Sequence, residues 1–173
     1  MVILLSRAIS LTCAYCLLMS LSRSRTRRFL LQSLYTRSIS GVSASKDAPF
    51  FEEIERIDDS YVVQLEKIIL GQEGKILSVV YECAPKYDIK TLPIINALIL
   101  MICIAEMIIL CPDDVPPRVS MNEAIELAKR YSDDAGKNLI NGILNTLFNR
   151  RDAIMASWDT RVPLTKYSFF PTL

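Results

Sequence analysis

The 173 residues suit one domain with a real core: 51 % are apolar and the mean hydropathy is +0.27. The chain contains no His, the commonest general base and metal ligand, and it shows no Ser/His pair, metal cluster or phosphate loop. A free-standing enzyme, a bound metal and a cofactor are therefore not expected. The net charge of +1 averages two unlike ends. The first 46 residues hold seven of the 20 cations (Arg7, Arg23, Arg25, Arg27, Arg28, Arg37, Lys46) and none of the 19 acids, which leaves the remainder at −6. A basic end on an acidic body points to an anionic partner, nucleic acid or a membrane surface.

Residues 1–21 form an N-terminal extension in which Arg7 precedes a 14-residue apolar run. A targeting segment is one reading. A start at Met19 (MSLSRSRTRRFLLQSLY) is the favoured one, because four apolar residues precede Arg7. Cys13 and Cys16 match CxxC but lie in no βαβ context. With Cys83, Cys103 and Cys111 they make an odd five, mostly in apolar runs, so reduced thiols and a cytoplasmic location are expected.

The pattern predicts a first helix over about 23–39, opened by Ser22 or Ser24 and stopped by Gly41. Its apolar stripe is Leu31, Leu34, Tyr35 and Ile39, widened by Phe29 and Leu30. Pro49 and the following acids suit a short second helix over 49–57. Asp59 or Ser60 caps a third, with Tyr61, Leu65, Ile68 and Ile69 on one face. A fourth over 73–84 aligns Ile76, Val79, Val80 and Cys83 and ends at Ala84-Pro85. Residues 92–111 are long and apolar enough for a membrane span, yet Asn96 and Glu106 are costly in hydrocarbon. The central helix of a soluble bundle has the same all-round apolar pattern. After the stiff Val115-Pro116-Pro117, Ser120 and Glu123 have the spacing of a capping box, opening a sixth helix to about Tyr131. Ser132-Asp133-Asp134 caps a seventh over about 135–150. Residues 151–173 are a C-terminal tail with Trp158 and Phe169-Phe170.

Three pieces then agree in order and distance: Val115-Pro116 with Arg118-Val119, NEAIELAK with Tyr131 (122–131), and NGIL (141–144). Upstream, the spaced arginines Arg23, Arg25 and Arg27 precede Gln32-Ser33-Leu34-Tyr35. Leu100 and Glu106 fall where a long central helix carries Leu and Glu. Together these resemble the NusB family of transcription antitermination factors over about 22–148, strongly at both ends and weakly over 42–90. The resemblance implies an all-α, compact seven-helix bundle over 22–150, with 92–111 as a buried helix and no stable membrane insertion. It implies binding of boxA-type single-stranded RNA together with NusE, a small-ribosomal-subunit protein, within an antitermination complex on RNA polymerase. A homodimer is also known in the family.

The residues expected to hold RNA are Arg23, Arg25, Arg27 and Arg28, with Lys137 and Asn138; Asn96 is the expected partner contact. On a helix, Arg23 and Arg27 lie together, as do Arg25 and Arg28. Guanidinium groups grip phosphate bidentately and stack on bases. Phe29 and Tyr35 are stacking candidates, although core packing suits both. Asn122 and Asn141 are expected to hydrogen-bond between helices, and Gly142 to permit close packing. The chain departs from the family at Met101, where Arg is usual, and at Gly136-Lys137-Asn138-Leu139, where Ser-x-Lys-Phe is usual. NusB-like domains also precede RNA cytosine methyltransferase domains; only 23 residues follow residue 150 here. A membrane-associated or exported helical protein is the alternative class, resting on residues 1–21 and 92–111.

Overall fold

The computed structural model describes residues 23–42, 57–110 and 115–171. It is all-helical, and the described residues form five α-helices, not seven. These are α1 (23–40), α2 (Asp59–Cys83), α3 (Ile94–Ile104), α4 (Pro117–Tyr131) and α5 (Asp134–Ala156). The expected helix over 49–57 lies almost wholly outside the described residues. The expected third and fourth helices are one helix. Gly71 and Gly74 flank Gln72, whose φ −129°, ψ 20° kinks α2 without ending it. Paired glycines soften a helix enough to bend it; they need not break it.

α1 ends as expected. Gly41 takes φ 77°, and its N–H donates to the Arg37 carbonyl at 2.8 Å, the left-handed cap that glycine adopts without strain. The buried face of α1 is displaced from the expected stripe. Thr26, Arg27, Phe29, Leu30, Leu31, Ser33 and Leu34 face inward, while Tyr35 and Ile39 are exposed.

α3, within the apolar run that begins at Leu92, is the central helix of the bundle. From Ala97 to Ala105 every side chain is buried, because α2, α4 and α5 all pack on α3. No helix among the described residues is long and apolar enough to cross a membrane. α3 passes into a π-helical turn over Ala105–Ile109, where Leu110 N–H reaches back five residues to the Ala105 carbonyl at 3.0 Å. Such a turn shifts the helix register by one residue. Within it the Met107 carbonyl accepts from Arg151 Nε at 3.0 Å.

α4 starts four residues earlier than its sequence predicts, with Pro116 and not Ser120 in the capping position. Pro117 sits at its first position, where a missing N–H costs nothing, and no side chain caps it. Ser120 is therefore inside the helix and buried, and Glu123 is mid-helix, so the capping box does not form. α5 is capped as expected: Asp133 accepts from Gly136 N–H at 2.7 Å. Its N-terminal turn is tight against α3. A Cβ at Gly136 would collide with Ser132 Oγ and Asn96 Nδ2, whereas one at Gly142 would meet nothing within 4 Å. Close packing is thus the role of Gly136, not of Gly142.

The segment after α5 docks on the kink of α2. Trp158 Nε1 donates to Gln72 Oε1 at 2.8 Å, and Leu164 N–H donates to the Gly74 carbonyl at 2.8 Å. Glu73 accepts from Phe169 N–H at 2.6 Å and from the Ser168 hydroxyl at 2.7 Å.

Candidate nucleic-acid interface

The arginines of α1 separate by helix face. Arg27 points inward and is 3 % exposed; Arg23, Arg25 and Arg28 are half-buried. Arg27 Nε donates to Glu106 Oε1 at 2.6 Å, and the Tyr61 hydroxyl donates to the same oxygen at 2.6 Å. Arg27 Nη1 lies 3.5 Å from Glu123 Oε2. One guanidinium thus ties α1 to α2, to the π turn and to α4. Burial works against its charge, but the attraction and hydrogen bond of Glu106, helped by Tyr61 and Glu123, outweigh that and raise its pKa. Burial, then Glu106, pushes the Tyr61 phenol well above the usual tyrosine range. Arg23 sits over the outer part of this group, its guanidinium carbon 5.4 Å from the Tyr61 ring centre.

The expectation that Arg27 grips phosphate is therefore corrected: a fully committed, buried guanidinium cannot meet an external polyanion. Asn96 is corrected on the same ground. It is 3 % exposed and packed behind Gly136, so its amide is not offered to a partner. Phe29 is core, and Tyr35 is the exposed aromatic of the pair. Met101 is fully buried in α3, where the core takes its apolar side chain.

Arg28 and Ser24 line a cleft of about 350 Å³ between α1 and α4, with Glu123, Glu126, Lys129 and Arg130 on the other wall. Lys129 bonds Glu126 at 2.6 Å, and Arg130 is exposed. The α4 side chains of this cleft carry a signal in the sequence. Glu123, Glu126, Leu127 and Arg130 follow the i, i+3, i+4, i+7 rhythm of one helix face, which would have placed them together. At the same end of the bundle Gln32 Nε2 donates to the Tyr131 hydroxyl at 3.4 Å, joining α1 to the end of α4. The next turn carries Lys137, bonded to Asp134 at 2.6 Å, and the exposed Asn138. The bond from Lys137 lowers the Asp134 pKa. Among the described residues no group of three His, Cys, Asp or Glu side chains is arranged to hold a metal ion.

These features define a class: a helical bundle pinned by a buried arginine, with other arginines of the same helix half-exposed beside a cleft of mixed charge. The family comparison narrows it. The NusB family model matches residues 24–149, and the chain belongs to the NusB family. It is similar to a protein named transcription antitermination protein NusB from Clostridium perfringens (strain SM101 / Type A), 35 % identical over 133 residues. That match covers 74 % of this chain and 97 % of the relative. The Chloroherpeton thalassium protein of that name is 32 % identical over 135 residues, covering 76 % of this chain and 63 % of the relative. The one from Microcystis aeruginosa is 39 % identical over 105 residues, covering 58 % and 47 %. The chain thus spans nearly all of the clostridial relative and less than two thirds of the other two.

Proposed function

We propose that this chain is a non-catalytic transcription antitermination factor of the cytoplasm. In this reading it binds boxA-type single-stranded RNA with NusE and joins the antitermination complex on RNA polymerase. The observation that carries the reading is the cleft between α1 and α4 in a chain of this family, where Arg28 faces the exposed Arg130. Arg23, Arg25 and Arg28 are the cations assigned to phosphate, with Tyr35 as a stacking platform and Lys137 and Asn138 at the same end. Arg27 serves the fold. Asn96 acts by shaping the first turn of α5 and not by touching NusE.

The test is RNA affinity against salt for the triple variant Arg23→Gln, Arg25→Gln, Arg28→Gln. Each phosphate contact on a single strand contributes roughly −0.7 to the slope of log affinity against log salt. Loss of three contacts should weaken binding to a boxA-like RNA and flatten that slope by about 2. Binding should tighten when NusE is added to the parent chain. An unchanged slope in the triple variant would remove α1 as the RNA site.

A further inference from the structure

The outer face of α4 and α5 carries a second cleft, of about 430 Å³, that the RNA reading does not use. It lies across α4 from the first: Arg118 and Asn122 line it, while Glu123, Glu126 and Arg130 line the other. Its α5 wall is a row of amides, Asn141, Asn145 and Asn149, each four residues from the next and each exposed. Asn122 faces them from α4. The interhelical hydrogen bonds expected of Asn122 and Asn141 are not seen among the described residues; Asn141 Oδ1 accepts from Asn145 Nδ2 at 3.5 Å, within α5. At one end the Arg118 guanidinium lies over the Phe148 ring, 4.9 Å from its centre, a contact that orients it.

We propose that this cleft binds an extended peptide segment of a protein partner, with an acidic side chain of that segment on Arg118. Pitch is the first argument. Four helical residues rise about 6 Å. Two residues of extended chain advance about 6.6 Å. From Asn141 to Asn149 the row spans about 12 Å, the length of four extended residues to within about 1.5 Å. Chemistry is the second argument. Each asparagine offers an acceptor and two donors, the complement of a peptide unit's N–H and C=O, so the row pairs with backbone whatever the side chains. Charge is the third. The residues lining the cleft include one cation, Arg118, and no acid. A single-stranded RNA threaded here would leave most of its phosphates unneutralised, whereas a peptide with one carboxylate is matched.

The test selects binders from a random 12-residue peptide library displayed on phage, with the full chain as target, and measures synthesised, fluorescein-labelled winners by anisotropy. Winners should carry Asp or Glu. Asn145→Ala with Asn149→Ala should weaken them roughly tenfold, the loss of two backbone-paired amides. Arg118→Gln should weaken only those with an acidic residue, and Arg28→Gln, in the other cleft, should change nothing. Three results overturn the proposal: no peptide is selected, the winners tolerate the double asparagine variant, or that variant weakens a 12-nucleotide uridine-rich RNA instead. Asn145, Asn149 and Arg118 are exposed and Arg28 is half-buried, so folded variants are expected, and circular dichroism checks this.

Discussion

Two carboxylates in this bundle each join distant parts of the chain, and their settings are opposite. Glu106 is 1 % exposed and holds Arg27 and Tyr61 in the centre of the molecule. Glu82 is 31 % exposed, at the end of α2, and pairs with Arg150 and with Arg161 at 2.7 Å. The chemistry is the same and the dielectric differs. Buried charges have no water to fall back on, so each partner depends on the other. Glu82 and Arg150 stay hydrated with or without each other, and such a pairing contributes little, while Arg161 is the more enclosed partner at 11 % exposed.

That contrast sets the expected order of effects. Glu106→Ala leaves the buried Arg27 charge only the longer 3.5 Å approach of Glu123 and should cost about 3–5 kcal/mol of unfolding free energy, measured by urea denaturation. Combining Arg27→Met with Glu106→Leu removes both charges and should recover most of that loss. If the double variant is as unstable as the single one, the guanidinium does more than balance a charge. Tyr61→Phe deletes one bond to a buried carboxylate and should cost roughly 1.5–3 kcal/mol.

Tyr61 also adds a pH dependence. Its phenol ionises at higher pH in the folded chain than when unfolded. Its contribution is therefore complete below the ordinary tyrosine value of about 10 and is lost as pH rises from there toward the folded value. Tyr61→Phe should make the alkaline limb of the stability profile shallower. Cys83, pushed up to about 11 chiefly by burial, has the same sign over a narrower window and is removed as a contributor by Cys83→Ala. Gly136→Ala, which drives a methyl group into Asn96, Ser132 and the capping Asp133 carboxylate, should cost about 1–3 kcal/mol. Glu82→Gln should be smallest, below about 1 kcal/mol and reduced further by salt. A Glu82 variant as damaging as the Glu106 one would erase the distinction between the two sites.

Much of the helical plan was legible. Gly41 and Asp133 mark termini because their local chemistry is sufficient: a left-handed residue in one case, a side-chain acceptor in the other. The boundary at Ser120 misled, because a capping-box spacing is also compatible with helix interior once Pro117 has already started the turn. The expected gap between a third and a fourth helix is a kink within α2, and the segment after α5 docks on that kink at Gln72 and Gly74. The arginines were legible as a group and not as individuals. Arg23, Arg25, Arg27 and Arg28 differ only in angle around α1, and the stripe chosen from Tyr35 and Ile39 was rotated from the true buried face. Glu106 was placed by family resemblance without its partner, because Arg27 lies 79 residues away.

By itself, the sequence determined that this protein is helical and that a basic first helix precedes an acidic body. These follow from periodicity, capping and charge, which act over a few residues. Only the tertiary structure decided which arginine is structural, that Asn96 is hidden behind Gly136, and that α4 divides a charged cleft from an amide-lined one. Those outcomes depend on which helix faces meet, and therefore on contacts between residues far apart in the chain.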